Sequence, residues 1–378
     1  MRQRNRLKIL QVNKLYYPVI GGVEKTLQQI AEGLKDKTDM KVLVCQPKGK
    51  AAVEKINGVE VHKAASFGIF FSMPISLDFF QKFRKLSQDR DILHIHLPFP
   101  LADLAVFLFR PKCKIVLWWH SDIVRQKGFL IFYKPLMYWL LGRADVIIVE
   151  TIGHIEGSSY LLKYRHKCRI ISPAVDDSTL QKGIKYFTVN SRKKTNKRIS
   201  ILFVGRLVYY KGCETLINAF SQVSNAILTI VGTGKLEKKL RLQVKQLDIA
   251  EKVHFAGVLS SKELDQTFQN CDIFILPSIE KTEAFGLVQI EAMAYGKPVI
   301  NTALPSGVPY VSLHGKTGLT VPPKDAPALA KAIQKLVDDE KLRVKYGKNA
   351  YKRVRKYFTL EKMLESVLRK YCTLVNKA

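Results

Sequence analysis

Apolar positions along the chain follow two rhythms. Short, β-rich runs alternate with longer stretches in which apolar residues recur every three or four positions. In the first half the runs are Leu7–Val12, Lys41–Cys45, Val59–His62, Asp91–His96, Lys114–Trp119 and Asp145–Val149. Amphipathic stretches such as Val23–Leu34 and Leu130–Leu141 lie between them. Apolar strands separated by helices predict a parallel sheet covered on both faces. The pattern breaks at residues 181–198, where seven of eighteen positions are Lys or Arg and no apolar period is visible, so this segment reads as an exposed basic linker. Alternation resumes at Ile199–Val204, Ala226–Val231, Val253–Ala256, Ile273–Leu276, Pro298–Asn301 and Gly318–Val321. Helical stretches Glu214–Val223, Leu236–Leu247, Leu287–Ala294 and Ala328–Leu336 accompany these runs. The expectation is an α/β protein of two Rossmann-like domains, each a doubly wound parallel sheet, over residues 1–180 and 199–358. A basic amphipathic helix at 359–378 is expected to return to the first domain. Such sheets bind ligands at the carboxyl ends of their strands, so a cleft lined by both domains is the expected site.

Composition narrows the classes. The 378 residues are 47% hydrophobic and 25% charged, which excludes wholesale disorder. The formal net charge is +30, and the excess is spread: residues 1–190 carry 30 basic and 16 acidic groups, residues 191–378 carry 32 and 16. Anionic partners are implied, whether phosphate-bearing substrates, anionic lipid or nucleic acid. The six cysteines are scattered without a CxxC pair, against a zinc site or disulfide scaffold and in keeping with a reducing cytosol. No stretch reaches the ~18 apolar residues of a spanning helix, and Met1–Lys8 lacks a signal-peptide core, so the expected protein is soluble or peripheral.

Candidate chemistry gathers where strands end. Gly21-Gly22 opens the helix after Tyr16-Tyr17-Pro18, either as a plain turn or as a phosphate approach. Gly205-Arg206 ends a strand and Lys211-Gly212 precedes a helix, an arrangement that suits a diphosphate or a solvated basic loop. Gly232-Thr233-Gly234 is a further glycine turn. The segment Glu283-Ala284-Phe285-Gly286-Leu287 through Glu291 carries a loop carboxylate, a helix start with amides at Phe285, Gly286 and Leu287, and a second carboxylate two turns on. His120 closes an apolar strand and either faces a ligand or packs. His94 and His96 share a strand face, and at least one reads as a packing residue. No two-His-plus-carboxylate spacing appears, so no metal is expected.

These residues resemble a known family. Glu283-x7-Glu291, in the phrase EAFGLVQIEAMAYGKPVI, is similar to the E-x7-E signature of retaining GT-B glycosyltransferases, in particular glycosyltransferase family 4. Seven further motifs run in family order: YYPVIGGVEK (16–25), DILHIHLPFP (91–100), WWHSDIVRQK (118–127), VGRLVYYKG (204–212), VGTGK (231–235), FAGVL (255–259) and HGKTGLTVPP (314–323). The resemblance covers essentially the whole chain, and its phrasing is most like bacterial O-antigen and exopolysaccharide enzymes, many of them mannosyltransferases. At two places the chain departs from the family pattern. Glu150-Thr151 stands where a Thr-Ser or Ser-x pair is usual, and Ser172-Pro173-Ala174-Val175-Asp176 stands for Pro-Asn-Gly-Val-Asp.

The resemblance implies a role for each matching position. Arg206 and Lys211 would hold the donor diphosphate, and Glu283 would orient the donor sugar. The amides of Phe285 to Leu287 would touch sugar and phosphate, and Glu291 would bind the ribose hydroxyls. Gly21 and Gly22 would approach the diphosphate from the first domain, with Gly205 and Gly232 in the second. Val258 and Leu259 would recognise the base, and His120 would lie near the reacting centre. The implied co-substrate is a nucleotide-diphosphate sugar, GDP-mannose favoured, with no resident cofactor and no metal. The implied acceptor is a lipid-linked saccharide at the cytoplasmic face of the plasma membrane. The basic surface and the segments 67–85 and 129–143 suit an anionic membrane surface, although both segments equally read as core helices. The oligomeric state is unspecified. The competing readings are a catalytically silent GT-B binding or assembly protein and a nucleic-acid-binding protein. The latter lacks any specific recognition motif.

Overall fold

The computed structural model describes residues 6–19, 21–70, 73–123, 127–189 and 198–376. The chain divides into two compact units. One comprises Met1–Glu150, Ser158–Ser172 and Glu361–Ala378, the other Thr151–Gly157 and Pro173–Leu360.

The first unit is built on strands β1 (Lys8–Val12), β2 (Asp39–Cys45), β3 (Ala52–Ile56), β4 (Val59–Ala64), β5 (Gly68–Phe70), β6 (Met73–Ile75), β7 (Ile92–Leu97), β8 (Lys114–Trp119), β9 (Val146–Val149) and β10 (Cys168–Ile170). Eight of these form one sheet in the order β10-β9-β8-β7-β1-β2-β4-β3. All its pairings are parallel except β3 with β4. The interior strands β7 and β9 are buried at every position, as strands covered on both faces must be. The helix Gly22–Leu34 follows β1 and buries Leu27, Ile30, Ala31 and Leu34 at helical spacing. The helix Leu360–Val375 belongs to this unit from Glu361 onward and buries Met363, Val367 and Tyr371. Leu364 packs so closely on Gly33 that a Cβ there would lie 2.3 Å from its Cδ1.

The second unit carries β11 (Ile199–Val204), β12 (Ala226–Val231), β13 (Val253–Gly257), β14 (Ile273–Leu276), β15 (Val299–Thr302) and β16 (Gly318–Val321). They form a wholly parallel sheet, β13-β12-β11-β14-β15-β16. Two apolar cores flank it. One centres on Ile201, Phe203, Ile230 and Ile333, the other on Leu202, Phe274, Ile290 and Val354. Both units are Rossmann-like α/β layers, as the alternation predicts.

The linker expected at 181–198 is corrected. Its first nine residues continue a helix, Asp177–Val189, that belongs to the second unit, so the boundary falls at Ser172/Pro173 rather than after residue 180. Leu180 and Ile184 join the apolar core of that unit. A Cβ on Gly183 would lie 2.2 Å from the Ala294 carbonyl oxygen, so a glycine is what lets this helix sit down. Lysines on the outward side of a packed helix masked its apolar period. Residues 190–197 lie outside the described residues.

The apolar segment 67–85 is not one helix. It forms the β5–β6 hairpin, which exposes Phe67, Ile69, Phe70, Ile75 and Leu77, and then a helix, Asp78–Ser87, which buries Phe79 and Phe83. The segment 129–143 lies in the helix Lys127–Arg143, burying Tyr133, Met137, Leu140 and Leu141 and exposing Ile131 and Phe132. Among the described residues no helix is long and apolar enough to cross a membrane.

Candidate active site

In the second unit four strand ends are tied together by backbone bonds. Gly205 N–H donates to Val231 O at 3.0 Å, Leu207 N–H to Thr233 O at 2.9 Å, Gly232 N–H to Gly257 O at 2.7 Å and Ile279 N–H to Tyr210 O at 2.8 Å. Gly232 makes this possible. Its φ is +122°, and a Cβ there would lie 2.1 Å from the Gly205 carbonyl oxygen. The turns after β11 and β12 therefore lie backbone against backbone, with Val258, exposed, and Leu259 directly after β13 beside them.

Lys211 and Glu283 meet on this platform. Lys211 Nζ lies 2.6 Å from Glu283 Oε2, and Ser278 Oγ donates to the same oxygen at 2.9 Å. The carboxylate is buried, so its charge is held by a cation and a hydroxyl rather than by water. Arg206 stands exposed nearby in sequence, its Nη2 donating to the Tyr210 hydroxyl at 3.0 Å. The helix Leu287–Ala294 begins at Gly286, a left-handed cap with φ +74°. Phe285, Gly286 and Leu287 thus open a helix whose first amides have no carbonyl one turn back to bond. Glu291 lies further along the same helix, half-buried.

The helix start is fixed from behind. Gln289 Nε2 donates to Phe285 O at 2.9 Å, and Asn301 Nδ2 donates to Gln289 Oε1 at 2.9 Å and to Val308 O at 3.0 Å. Gly307 N–H donates to Ala284 O at 2.6 Å and pins the loop that carries Glu283. The structure therefore gathers Gly205, Arg206, Lys211, Gly232, Val258, Leu259, Glu283, Phe285, Gly286, Leu287 and Glu291 in one unit, at the carboxyl ends of its strands. Ser278, Gln289, Asn301 and Tyr210 complete the arrangement and were missed. Only Ser278, following Pro277 at a strand end, carries a signal in sequence. The arrangement offers two cations and a helix N-terminus for a diphosphate, with two carboxylates for hydroxyls.

The first unit supplies Gly21, Gly22 and His120. Gly21 caps and Gly22 begins the helix after β1. His120 directly follows β8 and is buried, 5% exposed. Both its ring nitrogens are engaged: Nδ1 lies 2.9 Å from Glu150 Oε1, and Nε2 lies 2.9 Å from His96 Nδ1. His96 Nε2 in turn lies 2.9 Å from Gln11 Oε1, Gln11 Nε2 donates to the Tyr371 hydroxyl at 3.0 Å, and that hydroxyl lies 2.6 Å from His94 Nδ1.

Register explains the assembly. Gln11 pairs with His94, His96 with Trp118, and Trp119 with Val149, so one further step sets His120 beside Glu150. Alternation puts Gln11, His94, His96, Trp118, His120 and Glu150 on one face. The rings of His94, His96 and His120 stack with Trp118 at centroid distances of 5.7–5.9 Å. Burial pushes His94 down to about 3 and His96 well below the usual histidine range, so both are neutral rings. Among the described residues no group of three His, Cys, Asp or Glu side chains could hold a metal ion.

Comparison with known proteins bears on both units. The family described as "Glycosyltransferase Family 4" matches residues 20–179, and that described as "Glycosyl transferases group 1" matches residues 187–353. The chain is 30% identical over 382 residues to the O-antigen chain mannosyltransferase C of Escherichia coli, covering 98% of this chain and 99% of that relative. It is 32% identical over 355 residues to the D-rhamnosyltransferase WbpZ of Pseudomonas aeruginosa, covering 93% and 92%. Among solved structures, sucrose-phosphate synthase from Thermosynechococcus elongatus superposes with a TM-score of 0.79 at 20% identity, covering 99% of this chain and 100% of that one. Anabaena HepE in complex with UDP-glucose superposes with a TM-score of 0.73 at 20% identity, covering 97% and 100%.

Proposed function

The chain belongs to glycosyltransferase family 4, and on that premise we propose that it transfers a hexosyl unit, mannosyl first, from a nucleotide-diphosphate sugar to a lipid-linked saccharide during surface polysaccharide assembly. One observation carries the reading: Lys211 and Glu283 are ion-paired on a glycine platform at the strand ends, beside a helix N-terminus. Lys211 and Arg206 bind the donor diphosphate and take up the charge that grows on the leaving phosphate, a stabilisation aimed at the transition state. Glu283 orients the donor sugar, and Glu291 accepts hydrogen bonds from the ribose hydroxyls. His120 acts on the donor sugar.

The reaction retains the anomeric configuration. The acceptor hydroxyl oxygen bonds to the anomeric carbon on the face that the leaving group vacates. The bond from that carbon to the diphosphate oxygen breaks, and the phosphate oxygen takes the acceptor proton. No resident metal or cofactor takes part. The two relatives name different sugars, mannosyl and D-rhamnosyl, which differ in a single hydroxyl because D-rhamnose is 6-deoxy-D-mannose. Both donors therefore belong in the test.

The +30 charge and the apolar hairpin side chains Phe67, Ile69 and Phe70 support peripheral attachment at the inner face of the plasma membrane. Each exposed cation near an anionic surface adds about 1 kcal/mol.

The test is a thermal-shift panel of GDP-, UDP-, ADP- and dTDP-sugars, followed by transfer in EDTA with the product anomer read by NMR. GDP-mannose should stabilise the protein by mass action and give product of unchanged anomeric configuration. An inverted product, or turnover that returns only with Mg²⁺ or Mn²⁺, would refute the mechanism. No stabilisation and no transfer with any donor would favour the silent binding protein.

A further inference from the structure

The chain Glu150–His120–His96–Gln11–Tyr371–His94 is buried along its length and lies entirely within the first unit. Its hydrogens can be counted. Each neutral imidazole has one N–H and one acceptor nitrogen. His96 is neutral, so its bonds to His120 and Gln11 must run in the same direction. With the Gln11 amide as it stands, His120 Nε2 donates to His96, His96 to Gln11 Oε1, Gln11 Nε2 to Tyr371, and the Tyr371 hydroxyl to His94 Nδ1. Turning that amide over, with one proton fewer along the chain, reverses every bond, and His96 then donates to His120 Nε2. His94 Nε2 ends the chain without a partner in both settings. The contact at the other end does not change. A carboxylate only accepts, so His120 Nδ1 carries a proton toward Glu150 in either setting; with the amide as it stands the ring therefore holds two protons, and with it turned over only the one on Nδ1.

We propose that Glu150 is a positioning residue for His120: it pins the proton on Nδ1 and fixes the ring plane, leaving Nε2, backed by the reversible His96–Gln11–Tyr371–His94 chain, as the nitrogen that engages the donor sugar. This rests on the reading of His120 as a group acting on that sugar. A sugar hydroxyl at Nε2 replaces His96, donating to the nitrogen when the ring holds only its Nδ1 proton and accepting from it when Nε2 is protonated as well. The polar groups around the ring serve this arrangement. His96 and His94 face it from β7, Tyr371 from the helix Leu360–Val375, and Glu150 from the end of β9. Asp122, in the loop after His120, is held by Trp119 Nε1 at 3.1 Å and by Ser158 Oγ at 2.7 Å.

The test joins a spectroscopic readout to a kinetic one. Long-range ¹⁵N–¹H NMR of histidine-labelled protein reads the His120 tautomer without any turnover. Nδ1 should be protonated in the wild type, and Glu150→Gln, whose amide can donate to Nδ1, should move proton density to Nε2. Turnover of Glu150→Gln should fall ~10²-fold, within the range for a displaced acid–base or orienting group, with the donor KM nearly unchanged. Glu150→Asp keeps the charge and should restore part of the turnover and the wild-type tautomer, which a merely structural role would not predict. A wild-type His120 without a proton on Nδ1, or a folded Glu150→Gln variant with full turnover, overturns the inference. A wild type with the expected tautomer but no sugar transfer instead refutes the transferase reading.

Discussion

The two units hold polar groups in opposite ways. In the second, Lys211 and Glu283 form an ion pair beyond the carboxyl ends of the central strands, 12% and 9% exposed, where an arriving anion can take over the cation. In the first, burial has stripped charge from His94 and His96, and the groups there direct hydrogen bonds rather than carry a field. The lesson is a division of labour. A site that must stabilise developing charge is built from ions on glycine turns. A site that must fix one ring is built from one carboxylate and a run of neutral partners in register.

The sharpest break in the comparison is Lys211→Ala. Its turnover should drop ~10²-fold or more, the scale of one stabilising group in a shielded site, while donor binding weakens less. Steady-state kinetics with saturating donor checks this, and a near-normal kcat would move the diphosphate site elsewhere. Arg206→Ala, exposed and bonded only to Tyr210 in the described structure, should follow in the same direction.

Next come the two carboxylates. Glu291→Gln should weaken binding of the free nucleoside diphosphate about 10- to 100-fold, the worth of a charge-assisted bond to ribose. Glu283→Gln should leave that affinity nearly intact and damage turnover, because the free nucleotide has no sugar to orient. Calorimetric titration of both variants decides it, and the opposite pattern would exchange the two roles.

Acid should separate the units. His94 and His96 are neutral when folded, and on unfolding they take up protons below about pH 6.5. Their contribution is intact above that value and is lost as the pH falls toward about 3 for His94. Asp103 works against them. Burial raises its carboxyl to about 7, so its folded form gains stability as the pH falls from about 7 toward the ordinary carboxylate range. Two histidines outweigh one aspartate, and the loss steepens below about pH 4, where the Asp103 gain is complete. All three tryptophans, Trp118, Trp119 and Trp139, lie in the first unit. Tryptophan fluorescence melts should therefore shift down in acid further than melts read by probes in the second unit. Equal shifts would mean that the histidine burial costs nothing.

The smallest effect expected is at Asp103, whose Oδ2 accepts from the Tyr133 hydroxyl and whose Oδ1 is buried without a partner. Asp103→Asn removes a carboxylate whose burial costs most above about pH 7, less at pH 5 and nothing below about pH 4. The fluorescence melting point should rise a few degrees at pH 8 and by less at pH 5, at roughly 2–4 °C per kcal/mol for a chain of this size.

What was legible in the sequence follows the same division. Lys114–Trp119, Ile199–Val204, Ala226–Val231 and the helix Leu287–Ala294 stand where apolar runs place them, because both faces of these elements are covered. The edge strand Ala52–Ile56 escaped notice, since it is largely exposed and its Glu54 and Lys55 hide an apolar alternation. The candidate-site residues of the second unit sit in short turn motifs, and turn chemistry is local. The histidine chain is different. His94 and Tyr371 are 277 positions apart, and Gln11 meets His96 only through strand order. No spacing rule reaches across a sheet before its order is known, which is why Glu150 reads in sequence only as a departure from the family.

The helix Leu360–Val375 has a consequence for how the protein is made. Met363, Val367 and Tyr371 complete the core of the unit whose first strand begins at Lys8. On the ribosome the first unit emerges early yet waits, with that face uncovered, until the helix Leu360–Val375 is translated, whereas the second can close before it. A chain stopped before residue 361 would carry a finished second unit and an open first sheet. Surveillance by chaperones and proteases would meet that sheet first. That helix is thus the piece that closes the first unit, after the second has closed.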